Sequence, residues 1–261
     1  MKSIKKYAAG MAGLFFSGAM LVSCTKSFDE KVSQSTDFSG STVVQVYVAT
    51  VNASRNYVYI DSKPVNGASL ISGSVFPATG LGFQVPGGLR SFLVRDTLTT
   101  TTQKPLSFAN NMQAGKSYTI FTYDTITNPL QKTVETNIVV PDDTTARIRF
   151  AHFPYSPLPV PAVDIYSKNR GANIFTNVDL TSVTEFIPYE SGVSDSLFVR
   201  VAGSGVNLQN WSPAPASKYV DVAIAITPTA KRSYTVVFRG GYRATTTNNA
   251  TVRTLSTMVN R

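Results

Sequence analysis

The sequence predicts an all-β chain made of two tandem antiparallel sandwiches, and three observations carry that expectation. Of 261 residues, 30 are Thr and 29 are Val but only four are Glu; β-branched side chains are stiff at χ1 and suit a pleated surface. Leu197, Val199 and Val201 alternate with Phe198 and Arg200, and Tyr118, Ile120 and Thr122 with Phe121 and Tyr123, the period of strands with one buried face. Third, the chain repeats itself. Tyr57-Val58-Tyr59-Ile60-Asp61-Ser62-Lys63 lies over Ala162-Val163-Asp164-Ile165-Tyr166-Ser167-Lys168, and Lys116-Ser117-Tyr118-Thr119-Ile120 over Arg232-Ser233-Tyr234-Thr235-Val236. A repeat of roughly a hundred residues is too long for a solenoid unit, so each copy reads as a domain.

The first residues are not part of that fold. Lys2, Lys5 and Lys6 precede an apolar stretch from Ala8 to Met20, and Leu21-Val22-Ser23-Cys24 follows, which reads as a signal peptide over 1–23. The apolar stretch is shorter than the roughly 20 residues that a spanning helix needs. Leu-Val-Ser-Cys resembles the bacterial lipobox, which implies cleavage before a lipidated Cys24, the only cysteine of the chain. Residues 24–40 are expected to be a flexible tether of roughly 20 Å reach. Within it, Ser27-Phe28-Asp29-Glu30 resembles the short acidic signal by which Bacteroidetes send lipoproteins to the outer face of the outer membrane. The expected location is the outer membrane, exposed at the cell surface, with the periplasmic face as the alternative.

The remaining elements follow in order. Domain 1, over 41–141, opens on the β-rich segment Val43 to Val51, turns at Pro86-Gly87-Gly88 and closes on Thr133 to Val140. Pro141-Asp142-Asp143-Thr144 divides the halves, because proline cannot donate into a sheet and Asp initiates turns. Domain 2, over 144–261, opens on Arg147 to His152, turns at Glu190-Ser191-Gly192, Gly203-Ser204-Gly205 and Gly240-Gly241, and closes on Thr251 to Val259. Since both copies contain the full series, each half is expected to fold separately.

The second half resembles a known family. Arg147-Ile148-Arg149-Phe150-Ala151-His152, Ser156-Pro157, Pro161-Ala162-Val163-Asp164-Ile165-Tyr166, Pro188 to Gly192, Val199 to Gly205 and Ser233 to Gly240 are similar to the motifs of the domain of unknown function 4397. The first half resembles it more faintly, through Pro86-Gly87-Gly88 and Ala114 to Thr119. The resemblance implies immunoglobulin-like sandwiches in exported bacterial proteins and supplies no activity.

Composition narrows the chemistry. One His and one Cys leave too few ligands for a zinc or iron–sulfur site, and neither a metal nor another cofactor is expected. After removal of 1–23, 21 basic side chains face 15 acidic ones, a net +6, but the charges are scattered rather than clustered as on a nucleic-acid surface. His152, with Asp164 on the next strand, is the only general-base candidate by type; no G-x-S-x-G elbow accompanies it, and His152 is expected to close a strand and bond backbone in the Pro-rich loop that follows. Glu185 and Glu190 would form a glycosidase pair only across a cleft, which a small sandwich does not offer. Asp96-Thr97-Leu98, Asp124-Thr125-Ile126, Asp143-Thr144-Thr145 and Asp195-Ser196-Leu197 resemble sites that Bacteroidetes O-glycosylate, and Asp-Thr is equally turn chemistry. Two loops stand out: Phe153 to Pro161, with Tyr155 among prolines, and Asn207 to Lys218, with Trp211. A stiff loop that presents an aromatic face stacks on a sugar or peptide at low entropic cost. Tyr155, Trp211 and His152 are therefore the candidate ligand-binding residues, and no residue is assigned as catalytic. The expected function is a lipid-anchored envelope protein acting as a surface binding or structural module for a glycan or protein, with a hydrolase of an envelope polymer as the alternative.

Overall fold

The computed structural model describes residues 39–80 and 82–261; the signal peptide, Cys24 and most of the tether lie outside the described residues. The described residues are all-β, with no helix among them. In the first half, β1 (Ser41–Val48) runs parallel to β8 (Ser117–Thr125), and β8 pairs with β9 (Asn128–Glu135). The other edge of β1 pairs with β4 (Val75–Phe76) and β5 (Phe83–Pro86). The facing sheet has the order β3 (Lys63–Pro64), β2 (Tyr57–Ile60), β6 (Gly88–Arg95), β7 (Leu106–Met112). Val44, Val46 and Ile120 from the first sheet meet Val58, Ile60, Phe92 and Val94 from the second in one buried cluster.

The second half repeats the plan. β10 (Ala146–His152) runs parallel to β18 (Ser233–Arg239), flanked by β13 (Ile187–Tyr189) and β19 (Thr254–Val259). The facing sheet has the order β12 (Ala172–Val178), β11 (Val163–Ser167), β14 (Asp195–Val201), β17 (Ala223–Ile226). A separate two-stranded ribbon, β15 (Gln209–Ser212) with β16 (Lys218–Asp221), stands beside it. Ile148, Phe150, Ile165, Leu197, Val199 and Val236 form the second core.

The sequence repeat falls at one register. Val43 pairs with Ser117 as Arg147 pairs with Ser233. In each copy the repeat tyrosine closes the same bridge: the hydroxyl of Tyr118 accepts from the Gln113 amide (3.3 Å) and that of Tyr234 from the Thr229 amide (3.0 Å). The closing strand of the first half corrects the sequence expectation. It spans Asn128–Glu135, joined to β8 by the two residues 126–127, while Val139 and Val140 are exposed and unpaired in any strand.

A second correction concerns the strands expected to bury one face. In β8, Ile120 points into the first core while its neighbour Phe121 is also 0% exposed. The reason is a third apolar cluster, in which Tyr47, Ala49 and Phe121 of the first half pack on Ala151, Phe153, Val237 and Met258 of the second. Phe153 stacks on Phe121 with centroids 4.8 Å apart and lies 5.2 Å from Tyr123. The two β1-type sheets thus pack outer face to outer face, and the described residues form one compact unit.

Polar groups across this seam obey the repeat. Gln45 Nε2 donates to the Val259 carbonyl (2.9 Å), and Asn260 Nδ2 donates to Gln45 Oε1 (3.1 Å). The register makes Arg149 the counterpart of Gln45, and Thr136 that of Asn260. Arg149 indeed crosses the other way: its Nη2 donates to Thr136 Oγ1 and Thr119 Oγ1 (3.1 Å each), and its Nε to Thr235 Oγ1 (2.9 Å). Such reciprocity is the mark of an isologous, two-fold interface, here within one chain. Arg149 is 2% exposed, hydrogen-bonds to hydroxyls, and lies over the Phe186 ring at 4.6 Å, with the Glu185 carboxylate favouring its charge. Burial pulls its pKa down to about 10, so it remains charged at neutral pH. Because seam partners sit level with one another, β1, β8, β10 and β18 all point the same way.

Candidate functional site

His152 sits inside the second core. It is 0% exposed, stacked 5.6 Å from Phe238 and tilted 6.2 Å from Phe150. Its Nδ1 lies 2.9 Å from the Val178 carbonyl, so Nδ1 carries the proton, since a carbonyl can only accept. The partner is thus the end of β12, not the Pro-rich loop expected from sequence. Asp164 does not meet it. The Asp164 carboxylate accepts from Asn173 Nδ2 (3.0 Å), the Asn177 amide (2.7 Å) and the Gly203 amide (3.0 Å), bonds that hold two turns. Among the described residues no three His, Cys, Asp or Glu side chains gather as metal ligands. Asp195, one of the Asp-Ser sequences, is 4% exposed and accepts from Ser167 and Tyr189; it binds the core together. Burial, then the hydrogen bond to Asp195, pushes the Tyr189 hydroxyl up to about 12.

Comparison of the two halves shows where the second departs from the shared plan. Between β6 and β7 lie ten residues, 96–105, whereas between the equivalent β14 and β17 lie twenty-one, 202–222. Between β8 and β9 lie two, whereas between β18 and β19 lie fourteen, 240–253. Both insertions follow strands that end on one side of the sandwich, and they fold on each other. The Trp211 amide donates to the Thr245 carbonyl (2.6 Å) and the Thr247 amide to the Trp211 carbonyl (2.8 Å). Arg253 completes the join, its Nη2 donating to the Gln209 carbonyl (2.6 Å) and its Nε to Asn210 Oδ1 (3.1 Å). At the base of the second insertion Gly240 has a φ of 89°, and a Cβ there would run into the carbonyl of Val252. The same insertion takes up the Pro-rich loop: the Tyr155 amide donates to Gly240 and the Tyr242 amide to the Tyr155 carbonyl, both at 2.7 Å. Tyr155 and Trp211 therefore stand along one loop at one end.

The ribbon gives this end its chemistry. Trp211 pairs with Tyr219 and Gln209 with Asp221, and alternation places these four on one face. Asn210, 7% exposed, and Val220 are on the other, which is fastened to Arg253. Tyr219 is 67% exposed and meets Trp211 edge to face, centroids 5.1 Å apart. Prolines 213 and 215 stiffen the connecting loop. The sequence draws attention to Trp211 and Tyr155 but not to Tyr219 or the 240–253 insertion; the unequal spacing of the repeat anchors is the signal that points to both.

This end is opposite the first described residues. The described chain begins at Ser39 beside the start of β1, and Arg261 lies at the start of β18, where its carbonyl accepts from Ser233 (3.3 Å). The insertions follow the far ends of β14 and β18, about 20 Å away for strands of six or seven residues at roughly 3.3 Å each.

No family model matches the chain, and no curated protein matches it. Nine chains of solved structures match. One is the CBMbc module (family CBM26) of Eubacterium rectale Amy13K in complex with maltoheptaose, at 13% identity and a TM-score of 0.24, covering 83% of this chain and 96% of that one.

Proposed function

We propose that this chain is an outer-membrane lipoprotein, held by lipid on Cys24, whose second sandwich presents a non-catalytic glycan-binding site at the end away from the tether. The observation that carries the reading is the pair of insertions peculiar to the second half, which together build a ribbon with Trp211 and Tyr219 outward. A scaffold repeated with a graft on one copy is how folds acquire sites. A stiffened ribbon holding aromatic rings offers apolar area against the C–H faces of a sugar without ordering cost. Two sandwiches with a repeated tyrosine–backbone bridge support the finer reading as immunoglobulin-like domains, in keeping with the resemblance to the domain of unknown function 4397. His152, enclosed in the core and bonded to the Val178 carbonyl rather than to Asp164, gives a hydrolase reading no exposed base.

Two measurements test this. On a glycan and peptide array, the wild-type chain binds glycans, and Trp211→Ala weakens that binding at least tenfold, since large aromatics dominate contact energetics, while its thermal melt stays within a few degrees of wild type. Retention on peptides alone, or binding indifferent to Trp211→Ala and Tyr219→Ala, overturns the site. For the anchor, cell fractionation of Cys24→Ala releases the protein from the membrane, as loss of acyl chains worth about 0.8 kcal/mol per buried methylene requires. An unmodified Cys24 in the mass spectrum of the wild-type protein contradicts the anchor.

A further inference from the structure

We infer that the binding strip continues from the aromatic pair along Gln209, Asp221, Asn207 and Arg200, and that this row makes the ligand a neutral glycan with adjacent free hydroxyls; the inference rests on the glycan-binding reading above. The row is continuous. Asp221 Oδ1 accepts from Gln209 Nε2 and Asp221 Oδ2 from Asn207 Nδ2, both at 2.9 Å. Asn207 Oδ1 in turn accepts from Arg200 Nε at 2.8 Å, and the Arg200 guanidinium lies 3.6 Å above the Tyr166 ring. Asn207 is bridged to Arg200 of β14, so the ribbon extends the face of the sandwich rather than leaving it. Asn207, Gln209 and Trp211 alternate onto that one face, and from 207 to 211 the strip runs about 13 Å at roughly 3.3 Å per residue.

Three features of the row select the ligand. Its groups are planar and already oriented by one another, so little freedom is lost when a ligand arrives. They offer both senses of hydrogen bond side by side. Each Asp221 oxygen retains a lone pair after the amide it accepts from, and the guanidinium has five N–H donors of which Nε–H is committed to Asn207. A diol matches this alternation, because one hydroxyl donates to the carboxylate while its neighbour accepts from an amide or guanidinium. Lastly, the charges are relayed: the cation of Arg200 and the anion of Asp221 meet through Asn207, so the row itself has no net charge with which to select a uronate or a sulfate. Aromatic stacking at one end and a neutral, two-sense polar row at the other match the C–H faces and the adjacent hydroxyls of a sugar.

The experiment uses the detergent-solubilised lipoprotein on immobilised gluco-, manno- and galacto-configured oligosaccharides, each beside its uronate and its sulfated form, at two salt concentrations. The expected result is binding to a neutral oligosaccharide, at least tenfold weaker to its acidic forms, and unaltered by salt. Asp221→Ala and Arg200→Ala each weaken it at least tenfold, and Asp221→Asn, which keeps the planar group, by less. Preference for acidic glycans, or neutral binding lost in Trp211→Ala but unchanged in Asp221→Ala and Arg200→Ala, overturns the row and leaves the aromatic site standing. Failure of the wild-type chain to bind any glycan sinks the glycan-binding reading itself. Thermal melts separate loss of contact from loss of fold, and a variant that melts early is replaced by Asn207→Ser.

Discussion

Phe121→Ala is expected to cost about 3–5 kcal/mol, the range for emptying a buried aromatic site, and to lower the melting temperature by roughly 10 °C, since about 2–4 °C accompanies each kcal/mol in a unit of this size. The ring is enclosed by residues of both halves: Phe153 stacks on it and Tyr47 lies 5.9 Å away. Its loss therefore opens a cavity in the seam and not in either sandwich core. Because the seam also contains Arg149, which hydrogen-bonds to three threonine hydroxyls, loosening it exposes a buried cation to water as well as apolar rings. The expected melt of the wild-type chain is a single transition, in which the seam couples the halves, and Phe121→Ala lowers it as a whole. Urea unfolding followed by near-ultraviolet dichroism reads both. Two separate wild-type transitions, with only the first displaced by the variant, would show halves that fold independently and a seam of little weight. A double mutant with Phe153→Ala completes the case: the two changes should fall short of additivity by about 0.5–1.5 kcal/mol, the coupling of an aromatic pair.

How much of this was legible in the sequence depends on which face of a strand is considered. Inward residues declare themselves by period two, so Val58, Ile60, Val163, Ile165, Leu197 and Val199 were readable as core. Outward residues of β1, β8, β10 and β18 mix apolar rings with polar groups such as Gln45, Thr119, Arg149 and Thr235, and an apolar residue on a strand's second face does not say what covers it. Phe121, Tyr47 and Ala151 needed the partner sheet to be seen. The repeat gave topology and register, since Ser117 and Ser233 occupy equivalent places, but a two-fold seam is a relation between copies that no single copy encodes. The site was half legible for a related reason. Trp211 stands out by rarity, whereas Tyr219 is one of twelve tyrosines and acquires meaning only through its cross-strand position. His152 misleads by the same rule: as the sole histidine it draws attention as a base, and its burial among Phe150 and Phe238 makes it a core residue.

That burial gives the chain an acid limb with one owner. Desolvation lowers the pKa of His152 to about 4, against the opposing pull of the hydrogen bond to the Val178 carbonyl. In the unfolded chain the ring titrates near 6.5. Between these values the unfolded state binds a proton that the folded state refuses, so the stability contributed by the neutral ring is fully present above about pH 6.5 and is lost as pH falls towards 4. At about 1.36 kcal/mol per pH unit the total is on the order of 3 kcal/mol, with about 2 kcal/mol gone by pH 5. No other histidine exists to share the effect. Asp61, Asp143 and Asp195, whose pKa values are held down chiefly by hydrogen bonds or, for Asp195, by hydrogen bonds that outweigh its burial, contribute stability above the ordinary carboxylate range near 4 and lose it below, so they leave the window from 6.5 to 5 clear. Urea midpoints at pH 7.5 and 5 should therefore fall in the wild-type chain. His152→Asn, which retains a donor for the Val178 carbonyl but does not titrate, should be less stable at pH 7.5 through lost packing and show no decline between the two pH values. A wild-type chain equally stable at both, or an Asn variant that keeps the slope, would mean that the ring is not sealed from water as its packing against Phe150 and Phe238 requires.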